Sequence, residues 1–402
     1  MLRVSNKGRA IPESPIRKLV PYAEAAKKRG TEIFYLNIGQ PDIKTPKVAL
    51  DAVRNIDMEV LEYSTSNGSE QYRDKLVAYY KKHRINITNE QILVTTGGSE
   101  ALYFTIASIT DPQDEIIIPE PFYANYTSFS IAAGVKVVPI NTSMEDGFAL
   151  PKVNEFEALI TPRTRAILIC NPGNPTGTLY SKQEIRELKK LVVKYNLFLI
   201  ADEVYREFVY TDEGHYSIME EKGMDMNAIM IDSTSKRYSM CGARIGCVIS
   251  KNPELISTVM KMAQSRLCPP TIAQIAAEAA LDTPQSYFDE VKEEYIGRRN
   301  VIITELTKIE GVHVVKPNGA FYCLADLPVK NAEDFARWML ESYDNNGQTV
   351  MVAPASGFYS TPNIAQNQIR IAYVLEKEKL IRAVEILKDG LIKYSNSIAL
   401  NQ

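Results

Sequence analysis

Between residues 91 and 249, seven short apolar runs alternate with longer amphipathic ones, and this alternation is the strongest constraint on the fold. The runs are Ile92–Thr95, Glu115–Ile118, Val135–Pro139, Ala166–Cys170, Phe198–Ala201, Ala228–Ile231 and Ile245–Ile249. They are too short for helices and nearly all apolar, the pattern of strands buried on both faces. Helical stretches such as Ser99–Ile109 and Ser181–Tyr195 fall between most of them. The expectation is an α/β fold: a mostly parallel, seven-stranded sheet sandwiched by helices.

The flanking segments read differently. Residues 14–30 predict a helix, with Ser14 as N-cap, Pro15 in its first turn and Gly30 as its stop. A short strand begins at Ile33, and the polar loop from Glu62 to Arg73 enters a helix over 69–82. Residues 284–308 predict one long helix. Beyond it lie strands near 312–315, 321–325, 349–352 and 368–372, with helices near 331–343 and 376–394. This predicts a large domain over 49–290 and a smaller α+β domain over 291–402, with 1–48 an N-terminal arm that joins the smaller domain in part.

Charge and cysteine usage narrow the function classes. With 46 basic and 49 acidic side chains and no long run of like charge, the chain lacks the electrostatic footprint of a nucleic-acid or membrane-surface partner. No apolar stretch is long enough to span a bilayer. Met1–Ala10 carries charge with no apolar core behind it, unlike a secretory leader. Cysteines 170, 241, 247, 268 and 323 are odd in number and scattered, which suits free thiols in a reducing cytoplasm. Histidines 83, 215 and 313 show no metal-ligand spacing.

Ligands of open α/β sheets sit beyond the carboxyl ends of the strands. Four strand ends carry suitable residues. Thr96-Gly-Gly-Ser-Glu100 opens a helix, either as an anion site or as a plain tight turn. Asn171-Pro-Gly-Asn-Pro-Thr-Gly177 is a rigid loop that presents the Asn174 amide, or simply a proline-rich turn. Asp202-Glu-Val-Tyr205 puts a carboxylate at a buried strand end, where it needs a partner. In Ser233-Thr-Ser-Lys-Arg-Tyr-Ser-Met-Cys-Gly-Ala-Arg-Ile-Gly246, the serines and Arg244 suit a phosphate dianion. Lys236 beside them has an amine able to bond a carbonyl. An aldehyde carrying a phosphate, pyridoxal phosphate (PLP), satisfies both; a solvated Lys-Arg pair is the alternative.

Together with Asn37-Ile-Gly-Gln-Pro-Asp42, Pro121-Phe-Tyr123, Pro317-Asn-Gly-Ala-Phe-Tyr322 and Arg370-Ile-Ala-Tyr373, these motifs resemble in order and spacing the class I/II aminotransferases. Those are PLP enzymes of the aspartate aminotransferase superfamily, fold type I, and the resemblance spans nearly the whole chain. It implies that Lys236 bonds the cofactor and then serves as the base at the substrate Cα. Asp202 would pair with the pyridine nitrogen, and Asn174 and Tyr205 with the ring oxygen, while Tyr123 stacks on the ring. Gly98, Ser99, Ser233, Ser235 and Arg244 would hold the phosphate. Arg370, with Asn174 and the Gly39 backbone, would grip the substrate α-carboxylate. Tyr63 would cross a homodimer interface to the neighbour's phosphate, so that active sites are shared.

The implied reaction is ping-pong amino transfer from an amino acid to a 2-oxo acid. Aspartate or another dicarboxylic donor ranks before alanine, and aromatic donors rank third. Arg17 and Arg266 are the candidates by position for a distal carboxylate. Two other outcomes fit the cofactor: a carbon–sulfur β-lyase, and the sensor part of a PLP-dependent transcription regulator. The second would need a DNA-binding domain ahead of Asn37, for which the leader is too short. His215 with Asp212-Glu-Gly reads as a solvated loop. Trp338 with Phe335 and Met339 reads as a packing face, and Cys241 and Cys247 as small buried hydrophobes.

Overall fold

A computed structural model describes residues 2–399. All seven apolar runs are strands of one sheet. From edge to edge the order is Ile92–Thr95, Gly246–Ile249, Ala228–Ser233, Phe198–Asp202, Thr164–Cys170, Glu115–Glu120 and Lys136–Asn141. Six strands run in one direction; Gly246–Ile249 alone is antiparallel to both neighbours.

The near-continuous apolar runs divide between two cores because successive side chains point to opposite faces. Ile116, Ile118, Leu168, Ile200, Ile229 and Ile231 fill one core. Ile117, Ile167, Ile169, Leu199, Ala201 and Met230 fill the other. Full burial of each large side chain contributes about 1.5–3 kcal/mol, so both faces hold the sheet in register. Helix starts are fixed locally. Ser181 accepts from the Glu184 N–H while the Glu184 carboxylate takes the Ser181 N–H. Ser69 caps Glu70–Lys82 and Asn331 caps Ala332–Glu341, each cap contributing about 1 kcal/mol.

The helix expected from Ser14 begins later. Residues 15–19 form turns, and the helix spans Val20–Lys28. Pro21 is the reason: it lacks an N–H and its ring would strike a carbonyl one turn back, so it is tolerated only in a first turn.

The C-terminal region forms a four-stranded antiparallel sheet of Ala353–Pro354, Gln368–Ala372, Tyr322–Asp326 and His313–Val314. Phe335 and Met339 are buried beneath it, and Trp338 packs on Phe335 and Tyr394. Glu32–Tyr35 pairs in parallel with Gln348–Met351, which ties the start of the chain to its last third. The long helix Gln285–Leu306 packs against Lys377–Ala399.

The reversed strand shapes the site. Gly246 pairs with both Thr95 and Ser233, drawing two distant strand ends together. A Cβ at Gly246 would lie 2.6 Å from the Gly97 carbonyl carbon, 2.7 Å from the Gly98 nitrogen and 2.8 Å from the Asp232 oxygen, all backbone atoms. Gly246→Ala is therefore expected to lower the unfolding free energy by about 1–3 kcal/mol. The urea midpoint measures this; a wild-type midpoint would show that the junction yields freely.

Candidate active site

A cavity of about 700 Å³ opens where the carboxyl ends of the parallel strands face the C-terminal sheet. At one end the helix Gly97–Ile109 begins with no side-chain cap, leaving its first N–H groups for an incoming anion. Gly98, Ser99, Ser233, Ser235 and Arg244 line this end. Gly97 adopts φ +76°, and a Cβ there would come 2.2 Å from Arg244 Nη2, so the guanidinium can lie directly over the turn. The Ser233 and Ser235 hydroxyls are 2.9 Å apart. Uncapped N–H groups, two hydroxyls and a guanidinium make a cradle for a dianion.

Deeper in the cavity, Asp202 is buried at the end of its strand. Its carboxylate accepts from the Tyr126 hydroxyl at 2.7 Å and from the Val204 N–H at 3.4 Å. Burial pushes its pKa up to about 6, against the pull of those two hydrogen bonds. The native state thus holds this proton to a higher pH than the unfolded chain does. The group accordingly costs stability as pH rises from about 4 to 6, and its contribution is constant above that. The Tyr205 hydroxyl lies 2.9 Å from that of Tyr322, and burial keeps both phenols protonated. Tyr123 forms part of the wall and meets Tyr126 edge-on at 5.4 Å.

Arg370 enters from the other sheet, on the strand Gln368–Ala372. Its side chain is fully buried, with the Tyr322 ring 4.6 Å away and the Phe358 ring 4.8 Å away. Nη1 donates to Asn174 Oδ1 at 3.1 Å and Nη2 to the Asn37 carbonyl, while Nε has no partner. A buried guanidinium in the wall of a cavity is poised for a carboxylate.

Lys236 sits on the one-turn helix Thr234–Arg237, capped by Ser233. Its Nζ donates to the Gly39 carbonyl at 2.8 Å, with Cys241 Sγ 3.8 Å away. Burial, helped by the Arg370 and Arg244 charges, lowers its pKa from the lysine range.

Thus Lys236, Asp202, Tyr205, Asn174, Tyr123, Gly98, Ser99, Ser233, Ser235, Arg244, Gly39 and Arg370 all line one cavity. Tyr63 does not: it is 78% exposed and stands outside the cavity of its own chain. Arg266 is occupied elsewhere, donating to the Ser66 and Val94 carbonyls and facing Glu100 at 3.4 Å. Arg17 does line the mouth. Tyr126 and Tyr322 carry roles that sequence reasoning did not assign. Tyr126 lies three residues after Tyr123 and carries no pattern of its own, whereas Tyr322 ends a motif that was visible.

His215 differs from expectation. Asp212 and Glu213 are solvated, but the His215 ring is tucked in, with Nε2 3.1 Å from the Asn171 carbonyl and 3.8 Å from Glu203. Burial lowers its pKa to about 3, leaving it neutral. Cys247 is buried as expected; Cys241 is only half-buried and donates to the Ser235 carbonyl. Among the described residues no cluster of His, Cys, Asp or Glu could hold a metal, and no helix is long and apolar enough to cross a membrane.

The family model for aminotransferase class I and II matches residues 31–387. An aspartate aminotransferase of Pyrococcus horikoshii is 32% identical over 387 residues, 95% of either chain. Aromatic-amino-acid aminotransferase 2 of Thermococcus litoralis is 30% identical over 97% of this chain and 98% of its own. The solved structure of an alanine aminotransferase from Pyrococcus furiosus superposes with a TM-score of 0.89 at 30% identity, covering 97% of this chain and 100% of that one.

The Asp202–Tyr126 contact gives a direct test. In ligand-free protein, the infrared carboxyl band of Asp202, identified by its loss in Asp202→Asn, is expected to titrate near pH 6. Removing the Tyr126 donor takes away a bond that favours the anion, so Tyr126→Phe should raise that midpoint by about one unit. A midpoint near 4, or one indifferent to Tyr126→Phe, would contradict this account of the site.

Proposed function

The chain belongs to the class I and II aminotransferase family, and on that premise we propose that its cavity holds PLP and moves the amino group of aspartate or a similar dicarboxylic amino acid to a 2-oxo acid such as 2-oxoglutarate. The observation that carries this reading is the Lys236 amine, its pKa lowered, in one cavity with an anion cradle and the buried Arg370. The residues present fit the cofactor. The uncapped helix start, Ser233, Ser235 and Arg244 suit its phosphate, and Asp202 suits a protonated ring nitrogen.

Bound there, PLP supplies an aldehyde carbon that accepts the amine and a ring that withdraws the electron pair left at Cα. Asp202, ionised opposite a cationic nitrogen, keeps the proton on that nitrogen. Asn174 and Tyr205 offer hydrogen bonds to the ring oxygen, and Tyr123 a stacking face. Arg370 binds the α-carboxylate and so orients the Cα–H bond toward Lys236. Lys236 Nζ, its pKa lowered by burial, is placed to accept the proton that leaves Cα and would be the group that carries it between substrate and cofactor. Repeated in reverse with a 2-oxo acid, the same steps complete a ping-pong cycle.

Arg17 supports a dicarboxylic donor. It is exposed at the cavity mouth and, among the described residues, makes no ion pair. The relatives' names divide between aspartate, aromatic and alanine enzymes, so this free cation carries the preference. A half-reaction screen tests it: conversion of the PLP form to pyridoxamine phosphate is followed by absorbance with aspartate, glutamate, alanine and phenylalanine. The dicarboxylic donors should convert fastest. Arg17→Gln should raise the half-saturating aspartate concentration by about tenfold and leave alanine within about twofold. Faster conversion by alanine in the wild-type protein would end the dicarboxylate reading.

A homodimer with shared sites, in the cytoplasm, completes the proposal. Tyr63 stands in an exposed apolar strip with Met58, Val60 and Leu61, and Leu267 is exposed as well. Arg244 of the cradle is exposed too. Covering the strip with a second copy can bring Tyr63 of the partner subunit to the cradle. The free cysteines support a reducing compartment. Mixed dimers of Tyr63→Phe and Lys236→Ala subunits test the sharing. The site that keeps Lys236 should recover wild-type PLP affinity from its partner's intact Tyr63. Retention of the weak affinity of the Tyr63→Phe homodimer would place Tyr63 within its own chain.

A further inference from the structure

Tyr63 projects into solvent, yet the loop that carries it, residues 62–69, is not loose. The Asn67 carbonyl accepts from the Val94 N–H at 3.0 Å. Gly68 adopts φ +94°, and a Cβ there would come 2.4 Å from Val94 Cγ2. The loop therefore lies directly against the edge strand Ile92–Thr95, whose last residue leads into the anion cradle.

One buried side chain does most of the holding. Gln274, on helix Thr271–Ala280, is only 2% exposed. Its Oε1 accepts from the Ser69 N–H at 2.7 Å, and its Nε2 donates to Ser64 Oγ at 2.8 Å and to the Pro269 carbonyl at 3.1 Å. A backbone N–H only donates and a carbonyl only accepts, so this position needs an acceptor and a donor on one fork, which a primary amide supplies and a carboxylate does not. Three positions earlier on the same helix, Thr271 Oγ1 donates to the Glu62 carbonyl at 3.1 Å. Glu62 and Ser64 are the two chain neighbours of Tyr63, so one helix end holds the chain on either side of it. Neither Gln274 nor Thr271 lines the active-site cavity of its own chain.

A tyrosine on a free loop loses backbone and side-chain freedom when it docks on a second copy. On a loop already fixed it loses side-chain freedom alone, and the contact is stronger by the difference. We propose that Gln274, assisted by Thr271, is a positioning residue for the partner subunit's cofactor site. It holds residues 62–69 so that Tyr63 meets the phosphate cradle across the dimer already aimed. This role rests on the shared-site reading above and adds the residue that aims the shared group. A role confined to its own chain is the competing outcome, since the Ser69 that Gln274 holds also caps helix Glu70–Lys82. The two differ in which subunit's site feels the change.

The measurement is the PLP dissociation constant, titrated by the absorbance that only a site with Lys236 gives when PLP bonds its amine. In the Gln274→Ala homodimer the constant should rise by on the order of tenfold, with circular dichroism showing the subunit folded. Subunits are then exchanged. Gln274→Ala paired with Lys236→Ala leaves one Lys236 site, served by a loop with intact Gln274, and wild-type affinity should return. A Gln274→Ala/Lys236→Ala subunit paired with a wild-type subunit leaves a Lys236 site whose own chain is unaltered, and that site should be weak. Should Gln274→Ala fail to fold or to dimerise, Ser64→Ala takes its place in the same exchange. It removes the bond beside Tyr63, leaves Gln274 bonded to Ser69, and should raise the constant about threefold. Weak affinity that stays with the chain carrying the variant would overturn the proposal. So would a wild-type constant in the variant homodimer where the Tyr63→Phe homodimer is weak. Either result leaves a shared Tyr63 standing. If the Tyr63→Phe exchange itself places Tyr63 within its own chain, the shared-site reading fails and this role fails with it.

Discussion

Two buried ion pairs beneath the strand ends hold the catalytic face in place. Asp232 accepts from Arg237 and from the Tyr80 hydroxyl at 2.6 Å, and Glu203 accepts from Arg206 and from Ser217 at 2.9 Å. Although burial opposes it, the Arg237 and Arg206 guanidiniums hold Asp232 below the usual carboxylate range. Each member of the two pairs is the chain neighbour of a residue that lines the site: Glu203 of Asp202, Arg206 of Tyr205, Asp232 of Ser233, Arg237 of Lys236. Adjacent side chains leave the backbone in different directions, so anchoring one fixes the aim of the other. Deleting one partner of such a pair strands a buried charge, at about 3–5 kcal/mol, so the anchors resist change as strongly as the groups they aim.

The site is also a junction between two sheets. The seven-stranded sheet supplies the anion cradle, the carboxylate and the amine; the four-stranded sheet supplies Arg370 and Tyr322. The seam itself is apolar, with Phe208 and Tyr205 edge-on to Phe321, and the polar contacts Arg370–Asn174 and Tyr205–Tyr322 cross it at the cavity. A carboxylate arriving at Arg370 therefore meets groups from both sheets at once. Burial does the chemical tuning, raising Asp202 and lowering Lys236, so both sit closer to neutrality than they would in water.

A single subunit leaves this arrangement open on one side. Arg244 is exposed, and so are Met58, Val60 and Leu61 beside Tyr63. The second copy proposed above would cover both features.

The sequence by itself determined the seven strands and the residues at their ends. Strand identity follows from runs of Ile, Leu and Val that have nowhere else to go, and cofactor-type chemistry follows from short contiguous motifs around Lys236, Asp202 and Asn174. The Pro21 restart was legible in principle, since a proline in mid-helix is a local conflict. What only the tertiary structure decided depends on residues far apart in the chain. Tyr126 reaches Asp202 across 76 positions, and Arg370 reaches Asn174 across 196. His215 turned inward because the buried Asn171 carbonyl offered it a partner that its own acidic loop did not advertise. The choice between Arg17 and Arg266 was likewise spatial: one faces the cavity mouth, and the other lies outside the cavity, turned toward Glu100. Local propensity fixes which element forms, but a side chain's partner, and hence its pKa and its role, is set by whichever distant group the packed core brings within about 3 Å.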